Sequence, residues 1–183
     1  MKKAVIILLV VFIATTVHAQ RYIPGMSGVN VTLGISEELG LWGGVDYSVY
    51  TKKKNRWVFG VEYLQNSYEY SSGTKIPLSQ LSLETGYYVK FLSDASKTFF
   101  LSVGASAMAG YETINWGKKL LPDGATIMNA DHFLYGAALT MEAEYYLSDQ
   151  HVLLFNLRER ALGGSTVGAM HTQVGIGLKF ILE

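Results

Sequence analysis

From Met170 to Phe180 the chain reads M-H-T-Q-V-G-I-G-L-K-F, and its side chains change character at every step. Met170, Val174, Ile176, Leu178 and Phe180 are apolar, with Thr172 the mild exception, while His171, Gln173, Gly175, Gly177 and Lys179 are polar or lack a side chain. Successive side chains of a strand point to opposite faces, so this is a strand with one oily and one polar face. The same alternation recurs upstream, giving predicted strands at Gly28–Ile35, Gly44–Thr51, Arg56–Gln65, Leu78–Phe91, Thr98–Glu112, His132–Leu147, Val152–Arg160 and Ala169–Leu182. A chain of this kind buries its oily faces either in the core of a soluble sandwich or barrel, or in the hydrocarbon of a membrane.

The connections and the aromatic residues separate the two. Lys52 to Asn55, Leu92 to Lys97 and Ser148 to His151 are short and polar; Ser36 to Gly43, Asn66 to Pro77, Tyr111 to Asp131 and Leu162 to Gly168 are longer. Short turns at one end and longer loops at the other, with an even number of strands, are the layout of outer-membrane barrels. On the fifth strand the oily face reads Phe99, Leu101, Val103, Ala105, Ala107, Ala109, Tyr111, and on the sixth Phe133, Tyr135, Ala137, Leu139, Met141, Ala143, Tyr145. Aromatics at the ends and small aliphatics between them fit two girdles at the lipid–water interfaces, whereas a soluble core does not sort its rings to strand ends. The expected girdle residues are Trp57, Phe91, Phe99, Tyr111, Phe133, Tyr135, Tyr145 and Phe180, with Phe59 joining the turn-side ring and Trp42 lying towards the other rim. The expected fold is all-β: an eight-stranded antiparallel up-and-down transmembrane β-barrel of the outer-membrane type.

Residues 1–19 read as a secretory signal: Lys2 and Lys3 form a basic start, Ala4 to Ala14 an apolar run, and Val17-His18-Ala19 a cleavage site. The apolar run is too short to span a bilayer as a helix, and no cysteine follows it to carry a lipid anchor. Export would leave residues 20–183 as one barrel domain with a short N-terminal segment on the periplasmic side, in the outer membrane of a Gram-negative bacterium. Absence of cysteine rules out a disulfide framework. A formal net charge of +0 removes the usual electrostatic case for nucleic-acid binding.

The polar faces carry Asp46, Glu62, Glu84, Glu142, Glu144, Arg158, Arg160 and Lys179. Eight strands enclose a space just wide enough for side chains to fill, so these charges should meet in opposite-sign pairs as a lumen ion network. The Ser148–His151 turn makes strands six and seven a hairpin, which would set Arg158 against Glu142 or Glu144 and bring Arg160 near His171. Such a network reads as a plug; a gated proton or ion path is the sharper alternative. His132, His151 and His171 fall on different strands and no metal-ligand or nucleophile motif occurs, so no catalytic residue, metal or cofactor is expected. Gly163-Gly164-Ser165 has no helix after it and is no phosphate cradle. Lys52-Lys53-Lys54 reads as a charged turn.

Two resemblances add to this. The terminal Gln173-x-Gly175-x-Gly177-Leu178-x-Phe180 spacing resembles the C-terminal assembly signal of bacterial outer-membrane barrels, which implies recognition by barrel-insertion machinery. Gln20-Arg21-Tyr22-Ile23-Pro24-Gly25-Met26, Trp57 with Gly60-Val61-Glu62-Tyr63, and Leu157-Arg158-Glu159-Arg160 together resemble the conjugal transfer protein TraO family of Bacteroides-type conjugative transposons. That resemblance implies an accessory, non-catalytic role in the mating apparatus, with outer-membrane lipids and other envelope proteins of that apparatus as partners. It supplies no catalytic or ligand residue. The rivals are a small porin-like or adhesin-type barrel, and a barrel enzyme acting on lipid A or peptides.

Overall fold

The structure, a computed structural model, describes residues 24–37, 40–51, 55–71, 74–121, 124, 126, 131–166 and 168–182. The expected export signal, residues 21–23 of the N-terminal segment and the lysines 52–54 lie outside the described residues.

Eight strands follow one another round a closed barrel: β1 (Ser27–Ser36), β2 (Leu41–Tyr50), β3 (Arg56–Ser71), β4 (Thr74–Ser93), β5 (Phe99–Ile114), β6 (Asp131–Tyr146), β7 (His151–Gly163) and β8 (Met170–Leu182). Each pairs antiparallel with its sequence neighbours, and β8 closes on β1 through Ser27↔Leu182 to Ser36↔Gln173. Closure leaves no sheet edge unpaired in the barrel wall, the condition for a sheet to stand in lipid.

The alternation is inverted relative to a soluble protein. Outward positions carry Val31, Leu33, Val45, Phe59, Val61, Leu83, Val103, Leu139, Met141, Phe155, Leu157, Ile176 and Leu178, all exposed, while charged and amide side chains are buried inside. The physical reason is that lipid competes for the oily face as well as a protein core does, and backbone groups are already paired around the ring. Arginine at Leu139, which is 59% exposed, should therefore cost about 2–4 kcal/mol if it lies near the bilayer midplane. Urea titration of the barrel refolded in lipid vesicles measures that cost, and an unchanged midpoint would mean the outer wall does not face hydrocarbon.

Tight turns close the end that holds both termini. Asp94 accepts the backbone N–H groups of Thr98 at 2.7 Å and Phe99 at 2.9 Å, which tolerates Lys97 at φ 54°. In the Leu147–His151 turn the corresponding work falls to Ser148, whose Oγ accepts from Gln150 and His151 N–H. Both turns open on Leu-Ser-Asp, Leu92-Ser93-Asp94 and Leu147-Ser148-Asp149, and each uses a different residue of it.

Three expectations are corrected. Asn66 to Pro77 is not an open loop: β3 and β4 stay paired beyond the barrel rim, from Asn66↔Leu78 to Ser71↔Thr74, as a protruding two-stranded ribbon. Its partners β2 and β5 stop earlier, at Leu41↔Gln65 and Leu78↔Ile114. The second strand begins at Leu41, not Gly44. Trp42 lies at the loop end, but it points inward and is buried, packed with Leu64 and Leu78 and donating from Nε1 to the Ile35 carbonyl at 3.2 Å. Gly34 and Gly175 make that possible: a Cβ on either would stand 2.6 Å from the indole.

Candidate functional site

The interior is filled in layers. At the terminal end Tyr50, Phe100, Tyr146, Val152 and Leu154 form an apolar cluster, against which Met26 and Ile181 pack. Above it Arg56 reaches from β3 across the lumen to Glu142 and, at 3.5 Å, to Glu144 on β6. Lys179 of β8 bonds Glu144 and lies 3.5 Å from Glu142, and the Tyr50 hydroxyl donates to Glu144 at 3.2 Å. The Arg56 guanidinium also covers the Tyr88 ring, 4.8 Å from its centroid.

A second group occupies the middle. Arg158 of β7 pairs with Glu62 at 2.9 Å and Glu84 at 2.8 Å, and its Nε donates to Thr140 Oγ1 at 3.0 Å. Arg160 pairs with Glu62 at 2.8 Å and donates to Gln80 Oε1 at 3.1 Å, and Gln173 Nε2 donates to Glu62 at 2.8 Å. Further up, Glu112 is fully buried and accepts from Gln80, Ser165 Oγ, and both N–H and Oγ1 of Thr166. The β7–β8 connection is thereby tied down into the mouth. Between the two charged groups lies a cavity of about 20 Å³ bordered by Asp46, Glu62, Glu84, Glu142, Asn156 and Arg158, room for roughly one water. An apolar groove of about 570 Å³ along Val31, Leu33, Leu153, Ile176, Leu178 and Phe180 opens outward and offers no polar group for chemistry.

All eight ionisable residues singled out in the sequence sit on inward-facing strand positions. Their pairing differs from the expected one. The β6–β7 register sets Arg158 opposite Thr140 and Glu142 opposite Asn156, so the hairpin does not join Arg158 to Glu142 or Glu144. The lumen is narrow enough for long side chains to find partners on facing strands instead. Arg160 and His171 are register partners, yet the guanidinium turns to Glu62 and Gln80, and His171 Nε2 lies 3.0 Å from the Gly168 carbonyl. Asp46 is bonded by Asn30 Nδ2 and makes no ion pair among the described residues.

Arg56, Glu112, Gln80, Tyr50 and Tyr88 belong to the interior and escaped the sequence reading. Parity held the signal for two of them: with Trp57 and Tyr111 outward, Arg56 and Glu112 must point in. The expected girdle residues all lie on the outward face, with Trp57, Phe91, Phe99, Tyr145 and Phe180 towards the terminal end and Tyr111, Phe133 and Tyr135 towards the loop end. Gln173 instead points inward and is fully buried, as is the side of β8 holding Gly175 and Gly177.

Chemically, the arrangement pairs four glutamates with four cations and fills space. Glu62, Glu142 and Glu144 are each shared by two cations, and Glu84 is held by Arg158, a pattern that holds strands together across the lumen. His132, His151 and His171 are not brought together: His132 faces Glu112 in the β5–β6 ladder, His151 packs on the Phe180 ring, and His171 stays by Gly168.

Solved structures share this fold. The crystal structure of Neisserial surface protein A matches at 11% identity over 85% of this chain and 94% of that chain, with a TM-score of 0.59. Ail, the attachment invasion locus protein of Yersinia pestis, in complex with the heparin analogue sucrose octasulfate, matches at 9% identity over 87% and 100%, with a TM-score of 0.60. Among proteins of curated function none matches. In sequence, the family described as conjugative transposon protein TraO matches residues 22–182.

Proposed function

The chain belongs to the conjugative transposon protein TraO family, and from that premise we propose that it is an outer-membrane barrel serving the mating apparatus as a structural accessory, neither catalyst nor conduit. The observation that carries this reading is the filled lumen. An apolar cluster at the terminal end and two charged groups above it occupy the interior, and the cavity between those groups has room for about one water. A barrel packed in this way stiffens its wall and presents its ends and outer surface to other proteins; it offers no path for a nucleic-acid strand.

In this reading residues 1–19 are the cleaved export signal, the barrel is inserted by the envelope's own assembly machinery, and other envelope proteins of the transfer apparatus are its partners. Function then rests on the loops, the N-terminal segment and the outer wall, since long connections on a rigid scaffold tend to carry recognition. Deleting the gene should lower transfer frequency from donor cells, with complementation restoring it, and the protein should fractionate with the outer membrane and shift on gels when boiled. A version with His132, His151 and His171 replaced together should complement as well as the wild type. Unchanged transfer after deletion would remove the conjugation role and favour the porin-like or adhesin-type reading; loss confined to the histidine-free version would reinstate an enzyme.

A further inference from the structure

In the Leu157-Arg158-Glu159-Arg160 stretch of β7 the two arginines point inward and are taken up by Glu62, Glu84 and Gln80. Glu159 falls on the other face, in line with Phe155, Leu157 and Ala161, which look out of the barrel. Its position is inside the wall, away from the rim. The next outward pair towards the loop end is Ala161↔Met170, and the next towards the terminal end is Leu157↔Val174, all exposed apolar residues; Leu139 is its neighbour on β6. Asp131, by contrast, is the first residue of β6, and Glu37 lies one residue past the end of β1.

An ionisable side chain on a lipid-facing wall is costly and is normally accompanied by a partner. Among the described residues Thr172 Oγ1 donates to Glu159, at 2.7 Å from its Oε2; the Thr172 backbone N–H goes to Glu37. Among the described residues no Lys, Arg or His forms an ion pair with Glu159. The wall of a second copy would not provide one either: among the described residues the outward positions below the β3–β4 ribbon carry no Lys or Arg.

We propose that Glu159, with Leu139, Leu157 and Val174 around it, is an in-membrane docking site for a partner protein that presents a Lys or Arg side chain from its own membrane-embedded surface. The apolar residues match a partner's lipid-facing side chains, and the carboxylate gives the contact its register and its charge selectivity. The inference rests on the outer-membrane accessory role and names the surface through which that role is exercised.

Two measurements on the full chain test it. In donor cells, a photocrosslinking amino acid in place of Leu157 should trap one component of the transfer apparatus, with the yield falling about tenfold or more on Glu159→Gln and surviving Glu159→Asp. In vesicles of phosphatidylcholine, the isolated Glu159→Leu barrel should unfold at higher urea than the wild type, because a carboxylate has left the lipid face, while the same variant lowers transfer in cells. A crosslink to a second copy, a yield indifferent to Glu159→Gln, or a Glu159→Leu barrel that unfolds at lower urea would each overturn the proposal, the last by making the carboxylate a purely structural partner of Thr172. If gene deletion leaves transfer unchanged, the conjugation role falls separately, and the crosslink and urea results still decide the docking site.

Discussion

Replacing Arg158 with leucine should destabilise the barrel by about 3–5 kcal/mol, read from the urea midpoint of protein refolded in lipid vesicles. Arg158 is 8% exposed, and its guanidinium holds two buried carboxylates, Glu62 at 2.9 Å and Glu84 at 2.8 Å. Removing the cation leaves Glu84 with no described cationic partner, and Glu62 with Arg160 alone. The loss therefore measures an orphaned buried charge more than the worth of the pair itself. Adding Glu84→Gln, or Glu62→Gln with Glu84→Gln, should recover part of it, since a neutral amide needs no counter-ion. Glu142→Gln should couple to Arg158→Leu more weakly, because Glu142 is held by Arg56 and Lys179. Equal coupling to Glu142 and to Glu84 would mean that the two charged groups act as one network.

That comparison also marks where sequence reasoning reaches its limit. Parity along a strand needs only neighbouring residues, so the eight strands, the oily outer face and the inward ionisable residues were all legible in the alternation of β5, β6 and β8. Partner choice was not. Hairpin logic looks one strand away, whereas Arg158 on β7 finds Glu62 on β3 and Glu84 on β4, and Arg56 on β3 finds Glu142 on β6. Trp42 was misjudged because Gly43 and Gly44 follow it and blur the alternation, so a ring beside a loop looked like a girdle residue. The β3–β4 ribbon was hidden for a related reason: beyond the rim there is no oily face to keep, and Asn66 to Pro77 shows no period-two contrast. Arg56 and Glu112 were lost at the edges of predicted strands, where period counting is weakest.

Removing Phe180 to Glu183 should abolish assembly in cells and prevent refolding in vesicles, whereas Phe180→Ala should impair assembly in cells and leave refolding nearly intact. The difference follows from what these residues do in the closed ring. Phe180, Ile181 and Leu182 pair with Val29, Gly28 and Ser27 of β1, and Ile181 N–H reaches the Gln150 carbonyl at 2.9 Å. Truncation leaves the start of β1 without its partner at the point where the barrel shuts, and unpaired backbone groups in lipid cost several kcal/mol each. It also strips Ile181 from the apolar cluster of Tyr50, Phe100, Tyr146, Val152 and Leu154. A Phe180→Ala chain keeps every one of those backbone bonds and loses a ring that is 40% exposed and lies against His151, so spontaneous closure survives. What it lacks is the terminal aromatic that insertion machinery would read. The glycines of the same stretch have structural duties of their own: a Cβ at Gly175 would stand 2.6 Å from the Trp42 ring, and one at Gly177 would stand 2.6 Å from the Val31 carbonyl. Gly175→Ala should accordingly fail in vesicles and cells alike. If Phe180→Ala assembles normally in cells, the ring is not read during insertion and the assembly-signal reading of β8 is wrong.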